Sequence, residues 1–371
     1  MSKFTQREIK WMKLAIEQAR RGIGFTAPNP VVGAVLVKKG RLVAKSFHKK
    51  AGGPHAEVNV IKLAGKKAEG ADLYVTLEPC SGKNKRTPPC ADLIIKKGIK
   101  RVYSAIKDPS VNGFEILRKH NISVFTGLLE NESKEINLPF FKSLIEKLPF
   151  VTVKSAVSMD GKIAAKTGDS KWISSIESRK YGHLLRKEAD AVLTGINTVI
   201  KDDPLFTVRH VKSAKDIIRV IVDTNCRLPL ESNIVRKRPE LTLVAVGKDI
   251  AKTKIKRLKD LGLEVLEVDR DNSGKINLKK LLKILSARGI NNILCESGGS
   301  LTASLFKNKL VDRIVFFISP MIIGGKDAPT AVEGNGVKKI NSAVKIENTK
   351  MKKSGGDFMI TGDVNTEWRN F

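Results

Sequence analysis

Cysteine is scarce: the chain of 371 residues has four, alongside five histidines. So few thiols exclude a disulfide-stapled scaffold and predict reduced cysteines in a cytoplasmic protein. Aromatic residues make up only 5%, and they do not interleave with basic residues as base-stacking grooves require. No apolar run approaches the roughly 20 residues that a membrane-spanning helix needs. The opening stretch MSKFTQREIKWMKLAIEQARRG has no apolar export-signal segment, carries Glu8 and Glu17, and spaces its apolar residues at helical intervals. It is expected to form an amphipathic first helix. Gly-x-Gly-x-x-Gly is also absent, which argues against a Rossmann dinucleotide site. Acidic residues are outnumbered 38 to 68, for a formal net charge of +30. The basic residues are dispersed as short pairs, so a solvated basic surface is expected rather than a nucleic-acid groove. Such a surface also attracts phosphorylated small molecules.

Helix and strand signals alternate along the whole chain, as in an α/β protein. A helix is expected over about 5–21. A hairpin follows in VVGAVLVKKGRLVAKSF, turning at KKG. Next come a helix after HAE, a strand in ADLYVTLEPC, a helix in ADLIIKKGI and strands in RVYSAIKD and ISVFTGLL. NESKEINLPFFKSLIEK reads as one helix closing the first half. Leu148-Pro149-Phe150 ends that helix, so the domains are expected at 1–147 and 148–371. In the second half, strands are expected in FVTVKSAVSMDGKIA, ADAVLTGI, IIRVIVDT, LTLVAVG, NNILCESGG and DRIVFFISP. Helices are expected at 177–188, 279–287 and 300–308. The halves share no repeat.

The scarce soft ligands gather in one stretch. His55, Cys80 and Cys90 lie within 36 residues. Imidazole and two thiolates suit zinc, and a catalytic zinc keeps three protein ligands and an open fourth position. Glu57 lies two residues after His55, on the first turn of the expected helix. It can reach the same cleft without binding metal and carry a proton between activated water and a leaving amine. Cys90 opens a helix, whose N-terminus favours the thiolate. Each residue alone reads as core; together they read as a metal site. His-x-Glu with Pro-Cys is the pattern of zinc deaminases, although nine residues separate the two cysteines here rather than two. Cys226 and Cys295 have no partner at ligand spacing and are expected to be structural.

A-P-N-P-V-V-G-A-V (27–35), H-K-K-A-G-G-P-H-A-E (48–57), T-L-E-P-C-S-G (76–82) and R-T-P-P-C (86–90) resemble the deaminase half of the bifunctional riboflavin biosynthesis family, RibD, with its cytidine deaminase-like α/β/α fold. The inter-cysteine loop is one residue longer than is usual there, and Gly82 replaces a common histidine. D-P-S-V-N-G (108–113) is also shortened. The resemblance implies zinc-hydroxide deamination of a diaminopyrimidine ribotide, 2,5-diamino-6-(5-phosphoribosylamino)pyrimidin-4(3H)-one, with Glu57 as proton shuttle. It places Asn29, His48 and Arg86 on the substrate, with Lys83 and Lys85 near its phosphate.

The second half contains C-E-S-G-G-S-L-T-A-S (295–304), a strand running through glycines into a helix. That turn lets backbone N–H groups approach a pyrophosphate, although a plain strand–helix connection explains it equally. Together with V-K-S-A-V-S-M-D-G-K-I-A (153–164), G-D-S-K-W-I-S (168–174) and G-I-N-T-V-I-K-D-D-P-L-F-T-V-R (195–209), it resembles the reductase half of the same family. That half is a dihydrofolate reductase-like α/β domain using NADPH to reduce a ribosyl group to ribityl. The resemblance implies an NADPH site of Ala156, Trp172, Thr198, Asp202, Thr224 and the run Gly298, Gly299, Ser300, Leu301, Thr302, Ala303 and Ser304. It assigns Lys154, Ser170, Arg186, Phe206, Arg209 and Glu296 to the ribotide. Arg186 and Arg209 suit a phosphate. Without the resemblance, Arg186 reads as a surface residue and Trp172 as core. Asp202 and Glu296 both remain open as proton donors. The family also implies association of copies through the reductase half.

Two other readings stay open. One is a zinc deaminase of RNA bases whose basic second half binds RNA, which leaves the second-half motifs without a role. The other is a chain in which only the reductase works, because of the altered 81–90 and 108–113 loops.

Overall fold

The computed structural model describes residues 4–82, 88–209, 211, 215–364 and 367–369. They form two compact units, Met1–Phe141 and Lys142–Phe371. The division falls inside a helix that ends at Glu146, just before the expected domain boundary.

The first unit runs α1 (Gln6–Arg20), β1 (Gly33–Lys38), β2 (Arg41–Phe47), α2 (Ala56–Ala64), β3 (Asp72–Leu77), α3 (Cys90–Lys96), β4 (Arg101–Ile106), α4 (Gly113–Lys119), β5 (Ser123–Thr126), α5 (Glu130–Ile136) and α6 (Leu138–Glu146). Thr5 and Glu8 close a reciprocal capping box that starts α1, and Trp11, Met12, Ala15, Ile16 and Ala19 bury its apolar stripe. The five strands are ordered β2-β1-β3-β4-β5. β1 pairs antiparallel with both β2 and β3, whereas β3, β4 and β5 run parallel. Tyr74, Tyr103 and Phe125 are register partners and stack across one face at 4.6 and 4.8 Å between centroids. The parallel strands therefore point their C-terminal ends, and the loops carrying Cys80 and residues 108–113, to the same edge.

The expected single helix over 131–147 is two helices. Pro139 has no N–H to donate. Asn137, between the helices, turns its side chain to the Val31 backbone, accepting from Val31 N–H at 2.9 Å and donating to Val31 C=O at 3.0 Å.

The second unit runs β6 (Phe150–Ser158), α7 (Ile176–Glu188), β7 (Ala191–Gly195), α8 (Ile196–Asp202), β8 (Ile218–Val222), α9 (Asn233–Arg236), β9 (Thr242–Gly247), α10 (Lys252–Asp260), β10 (Glu264–Val268), α11 (Leu278–Ala287), β11 (Asn292–Cys295), α12 (Gly299–Lys307), β12 (Arg313–Ser319), β13 (Glu347–Ser354) and β14 (Asp357–Asp363). Nine strands are ordered β10-β9-β8-β7-β11-β6-β12-β14-β13, parallel except at β14, which pairs antiparallel with both neighbours. Alternate residues feed opposite cores: Val151, Val153, Ala191 and Leu193 on one face, Val192, Ile221, Val244 and Val246 on the other. β11 returns between β7 and β6, so the strand order reverses there. Ligands of open α/β sheets bind at such a point, beyond the strand C-termini. Among the described residues no helix is long and apolar enough to cross a membrane.

Candidate functional site

In the first unit, His55 is the residue that opens α2, Cys80 lies just past β3 beyond Pro79, and Cys90 is the first residue of α3. Their ligand atoms all lie within 4.8 Å of one another. His55 Nδ1 is 3.3 Å from Cys90 Sγ and 3.5 Å from Cys80 Sγ. The Cys90 backbone N–H donates to Cys80 Sγ at 3.4 Å. Zinc bonds of about 2.0 Å to nitrogen and 2.3 Å to sulfur at the tetrahedral angle separate such ligands by ~3.5 Å, so the cluster fits the ion. The neighbouring Cys90, against burial, holds the Cys80 thiol well below the usual thiol range, with His55 adding to the effect. Cys90, beside Cys80 and deeply buried, is pushed far above the usual thiol range. Two sulfurs and an imidazole nitrogen crowded this closely suit a divalent cation.

Glu57 is buried on the first turn of α2, two residues after His55. Burial pushes its carboxyl up to about 7. His48 lies beside the cluster, edge-on to the His55 ring at 5.5 Å between centroids. Its Nδ1 is 3.0 Å from the Pro54 carbonyl, an acceptor only, so Nδ1 carries the proton. Nε2 then accepts from the Asn29 amide at 3.1 Å. Burial lowers the His48 pKa, which favours this neutral form. The expected substrate pair Asn29 and His48 is thus one hydrogen-bonded unit. Arg86, Lys83 and Lys85 lie outside the described residues.

Sequence reasoning missed Glu78. Its buried carboxylate accepts from the backbone N–H of Phe114 at 2.8 Å and of Asp108 at 3.2 Å. Ser81 Oγ accepts from Asn112 N–H at 2.9 Å. The shortened 108–113 loop is thereby tied to the Glu-Pro-Cys-Ser turn, and Val111 packs on both ligand cysteines. A Cβ on Gly113 would lie 1.9 Å from the Pro79 carbonyl oxygen, so only glycine allows this approach. Glu78 adjoins the Pro-Cys motif, but its partners are backbone groups 30 and 36 residues away, which no local pattern reveals.

In the second unit, a cavity of about 990 Å³ opens at the strand reversal. Every reductase residue named above lines it except Thr302 and Ala303. Thr302 is buried and bonds the Gly298 carbonyl and Ser297 hydroxyl, and Ala303 faces Gly334. Thr198 on α8 accepts from Gly298 N–H at 3.3 Å, binding the glycine turn to the neighbouring helix. Trp172 is 70% exposed at the rim, under the Arg179 guanidinium. Arg186 is largely buried rather than on the surface. It grips Glu296 with two donors, Nε–Oε1 at 2.5 Å and Nη2–Oε2 at 3.0 Å, and gives a third to the Thr207 carbonyl at 3.1 Å. Lys154 Nζ stands 3.7 Å from the same carboxylate. Burial alone would raise Glu296, but Arg186 and Lys154 hold it down to about 2. Asp202 accepts from Ser170 Oγ at 3.4 Å, and partial burial raises its pKa. Of the two open proton donors, only Asp202 is shifted toward holding a proton. Asn225, Arg227, Ser273 and Lys275 also line the cavity, at its β8 end, and were not anticipated.

A soft-metal cluster beside a buried carboxylate, followed by a cleft across a parallel-sheet reversal, defines a zinc deaminase unit joined to a reductase unit. Comparison with known proteins agrees. Residues 5–106 match the cytidine and deoxycytidylate deaminase zinc-binding region. Residues 149–360 match the RibD C-terminal domain. The chain is 43% identical over 354 residues to riboflavin biosynthesis protein RibD of Aquifex aeolicus (strain VF5), covering 94% of this chain and 96% of that one. Its fold is similar to a solved structure of Acinetobacter baumannii RibD, with a TM-score of 0.87 at 33% identity over 97% of this chain and 99% of that one. It is likewise similar to a Thermotoga maritima structure described as a diaminohydroxyphosphoribosylaminopyrimidine deaminase/5-amino-6-(5-phosphoribosylamino)uracil reductase, with a TM-score of 0.85, 34% identity and the same coverage. The chain belongs to the RibD family of bifunctional riboflavin biosynthesis deaminase–reductases.

Proposed function

We propose that the first domain, 1–147, removes the 2-amino group of 2,5-diamino-6-(5-phosphoribosylamino)pyrimidin-4(3H)-one. The second domain, 148–371, then reduces the ribosyl group of the resulting aminouracil to ribityl with NADPH. His55, Cys80 and Cys90 hold zinc, which supplies the Lewis acidity that makes water nucleophilic near neutral pH. Glu57 takes the proton released from that water on its buried carboxylate and delivers it to the departing amine. A carboxyl pushed up to about 7 suits both directions of transfer. Asn29 and neutral His48 orient the pyrimidine, and Arg86 meets its phosphate. The observation that carries this half is a three-ligand cluster of zinc dimensions, with the buried Glu57 on the first turn of the helix that His55 opens.

In the second domain bound NADPH would supply the hydride needed to reduce C1′ of the opened ribose. Gly298 through Leu301 and Ser304 face the cleft, and the N–H groups that begin α12 would hold the cofactor's pyrophosphate. Thr302 and Ala303 support that turn from behind. Ala156, Trp172, Thr198 and Thr224 complete the cofactor site. Lys154, Ser170, Phe206, Arg209 and the Arg186–Glu296 pair position the ribotide, and Asp202 holds the proton for the product side.

An assay following ammonia and NADPH together, with the diaminopyrimidine ribotide, tests both halves. Glu57→Gln abolishes ammonia release but keeps reduction of preformed aminouracil ribotide. Ammonia release at the wild-type rate in Glu57→Gln defeats the proton shuttle. Metal analysis should find about one zinc per chain in wild type and much less in Cys80→Ser.

The cysteines are free thiols, which supports a reducing, cytoplasmic setting. Ile340 at 89% exposure, in the turn that precedes edge strand β13 in the chain, and Met351 at 70% on that strand support association of two copies through the reductase half. Sedimentation of wild type against Ile340→Lys checks that surface.

A further inference from the structure

We infer that Arg227 and Lys275 read the 2′-phosphate of the nicotinamide cofactor and so set the preference for the phosphorylated over the unphosphorylated dinucleotide. This rests on the cofactor reading above and assigns it two residues that the family resemblance did not supply.

The cleft has two ends. β6, β11, β7 and β8 are neighbours in that order. At about 4.8 Å per strand, the end of β8 lies roughly 14 Å along the cleft from the end of β6. At the β6 end, Lys154 and Arg186 both face the Glu296 carboxylate. With the pyrophosphate at the intervening glycine turn, the reacting ring lies toward β6 and the adenosine toward β8.

The charge at the β8 end is of another kind. Arg227 and Lys275 both line the cavity there, and among the described residues neither has an ion-pair partner. The Arg227 guanidinium donates to Asn197 Oδ1 at 2.7 Å. That neutral acceptor on α8 fixes the group without cancelling its charge. Dinucleotide sites that prefer the unphosphorylated cofactor place a carboxylate on the ribose hydroxyls, whereas a nearby arginine accommodates a 2′-phosphate. A carboxylate does follow β8, at Asp223, but it is fully buried and accepts from the backbone N–H groups of Arg227 at 2.6 Å and Leu228 at 2.8 Å. It shapes the turn that presents Arg227 and is not available to a ribose.

The facing loop repeats the arrangement. Asp271 Oδ1 accepts from Ser273 N–H at 2.8 Å, Ser273 Oγ at 2.6 Å and Lys275 N–H at 3.2 Å. Its charge is engaged inside its own turn, and the turn carries Lys275 to the cavity. Asp271 also lines the cavity, but its Oδ1 is taken up by Ser273 and by Lys275 N–H, and Asp223 is turned onto backbone, so the two cations on two separate loops make a dianion site. The planar fork of Arg227 suits a phosphate better than a hydroxyl pair.

The test is direct binding to the full-length protein, read by calorimetry, with 2′,5′-ADP and 5′-ADP as probes and with NADPH and NADH. Wild type should bind 2′,5′-ADP and NADPH more tightly than their unphosphorylated counterparts. Arg227→Ala and Lys275→Ala should each weaken the phosphorylated ligands roughly ten- to a hundred-fold and leave the unphosphorylated ones within about twofold. Arg227→Lys should recover part of the loss. Equal weakening of both classes, or an unchanged preference in both variants, overturns the assignment while leaving the cofactor reading standing. Wild type that binds neither NADPH nor NADH overturns the cofactor reading itself, and this inference with it.

Discussion

Arg186 and Glu296 form a two-pronged ion pair at the floor of the reductase cleft, one residue on α7 and the other just beyond β11. Three of the five guanidinium N–H groups are already engaged, counting the bond to Thr207. Arg186 therefore does not stand ready as a free phosphate clamp. It fixes Glu296 in the ionised state, and of the two arginines that the resemblance assigns to the ribotide, Arg209, exposed at the cavity, is the one left to meet its phosphate.

That pair predicts an acid-sensitive stability component. Unfolded, Glu296 titrates near its ordinary 4.5; folded, it is held at about 2. Above 4.5 the folded chain keeps the full benefit, roughly 3 kcal/mol by proton linkage. It is lost as pH falls from there toward 2. Glu296→Gln should flatten this part of the stability–pH curve, measured by denaturant melts between pH 2 and pH 6. Reduction should fall at least tenfold, and ammonia release should persist.

Gly299 admits no side chain: a Cβ there would lie 2.3 Å from the Thr330 carbonyl oxygen. Gly299→Ala must displace either the 330–333 segment or the first turn of α12. We expect nicotinamide-cofactor affinity to fall about tenfold, seen in binding titrations, with zinc content and ammonia release unchanged.

Much of this was legible because local chemistry carried it. The expected zinc ligands His55, Cys80 and Cys90 come together at three element boundaries, each marked by a proline or a helix start in the sequence. The strands of both cores are β-branched runs, and α7 begins where Ser175 caps it. What escaped depends on partners far along the chain. Glu78 bonds backbone beyond the next strand, and Arg186 pairs with a residue 110 positions away, so an apparent surface arginine is a buried one. Helix α10 is highly charged, β13 is exposed up to its last residue, and α4 and α8 are each seven residues long, so none shows a clear apolar period. Thr302 and Ala303 do not line the cavity as Gly298 to Leu301 and Ser304 do, because a helix turns successive residues to different sides.

Gly113 and Glu78 predict an indirect control of the metal. Gly113→Ala drives a Cβ into the Pro79 carbonyl, one residue before ligand Cys80. Glu78→Ala leaves the N–H groups of Asp108 and Phe114 without their acceptor. Both variants should lose zinc to a chelator roughly ten times faster than wild type, as expected when support around a ligand is removed. Cofactor binding in the second domain should not change. Wild-type zinc retention in both would mean that the 108–113 loop does not support the cluster.

Trp368 separates packing from hydrogen bonding at the end of the reductase domain. Its indole Nε1–H donates to Asp312 Oδ1 at 3.1 Å, and its ring meets Phe150 edge-on at 6.3 Å between centroids. The same buried carboxylate takes Lys142 Nζ at 2.6 Å and Val151 N–H at 2.8 Å. Trp368→Phe keeps most of the ring and should cost about 1 kcal/mol for the lost donor. Trp368→Ala removes the packing too and should cost about 3–5 kcal/mol. Lys142→Met should also cost about 3–5 kcal/mol, because it strands the Asp312 charge in the interior. Denaturant midpoints of the reductase transition give this ranking. Equal losses in Trp368→Phe and Trp368→Ala would show that the hydrogen bond to Asp312, and not the ring, holds the end of the chain in place.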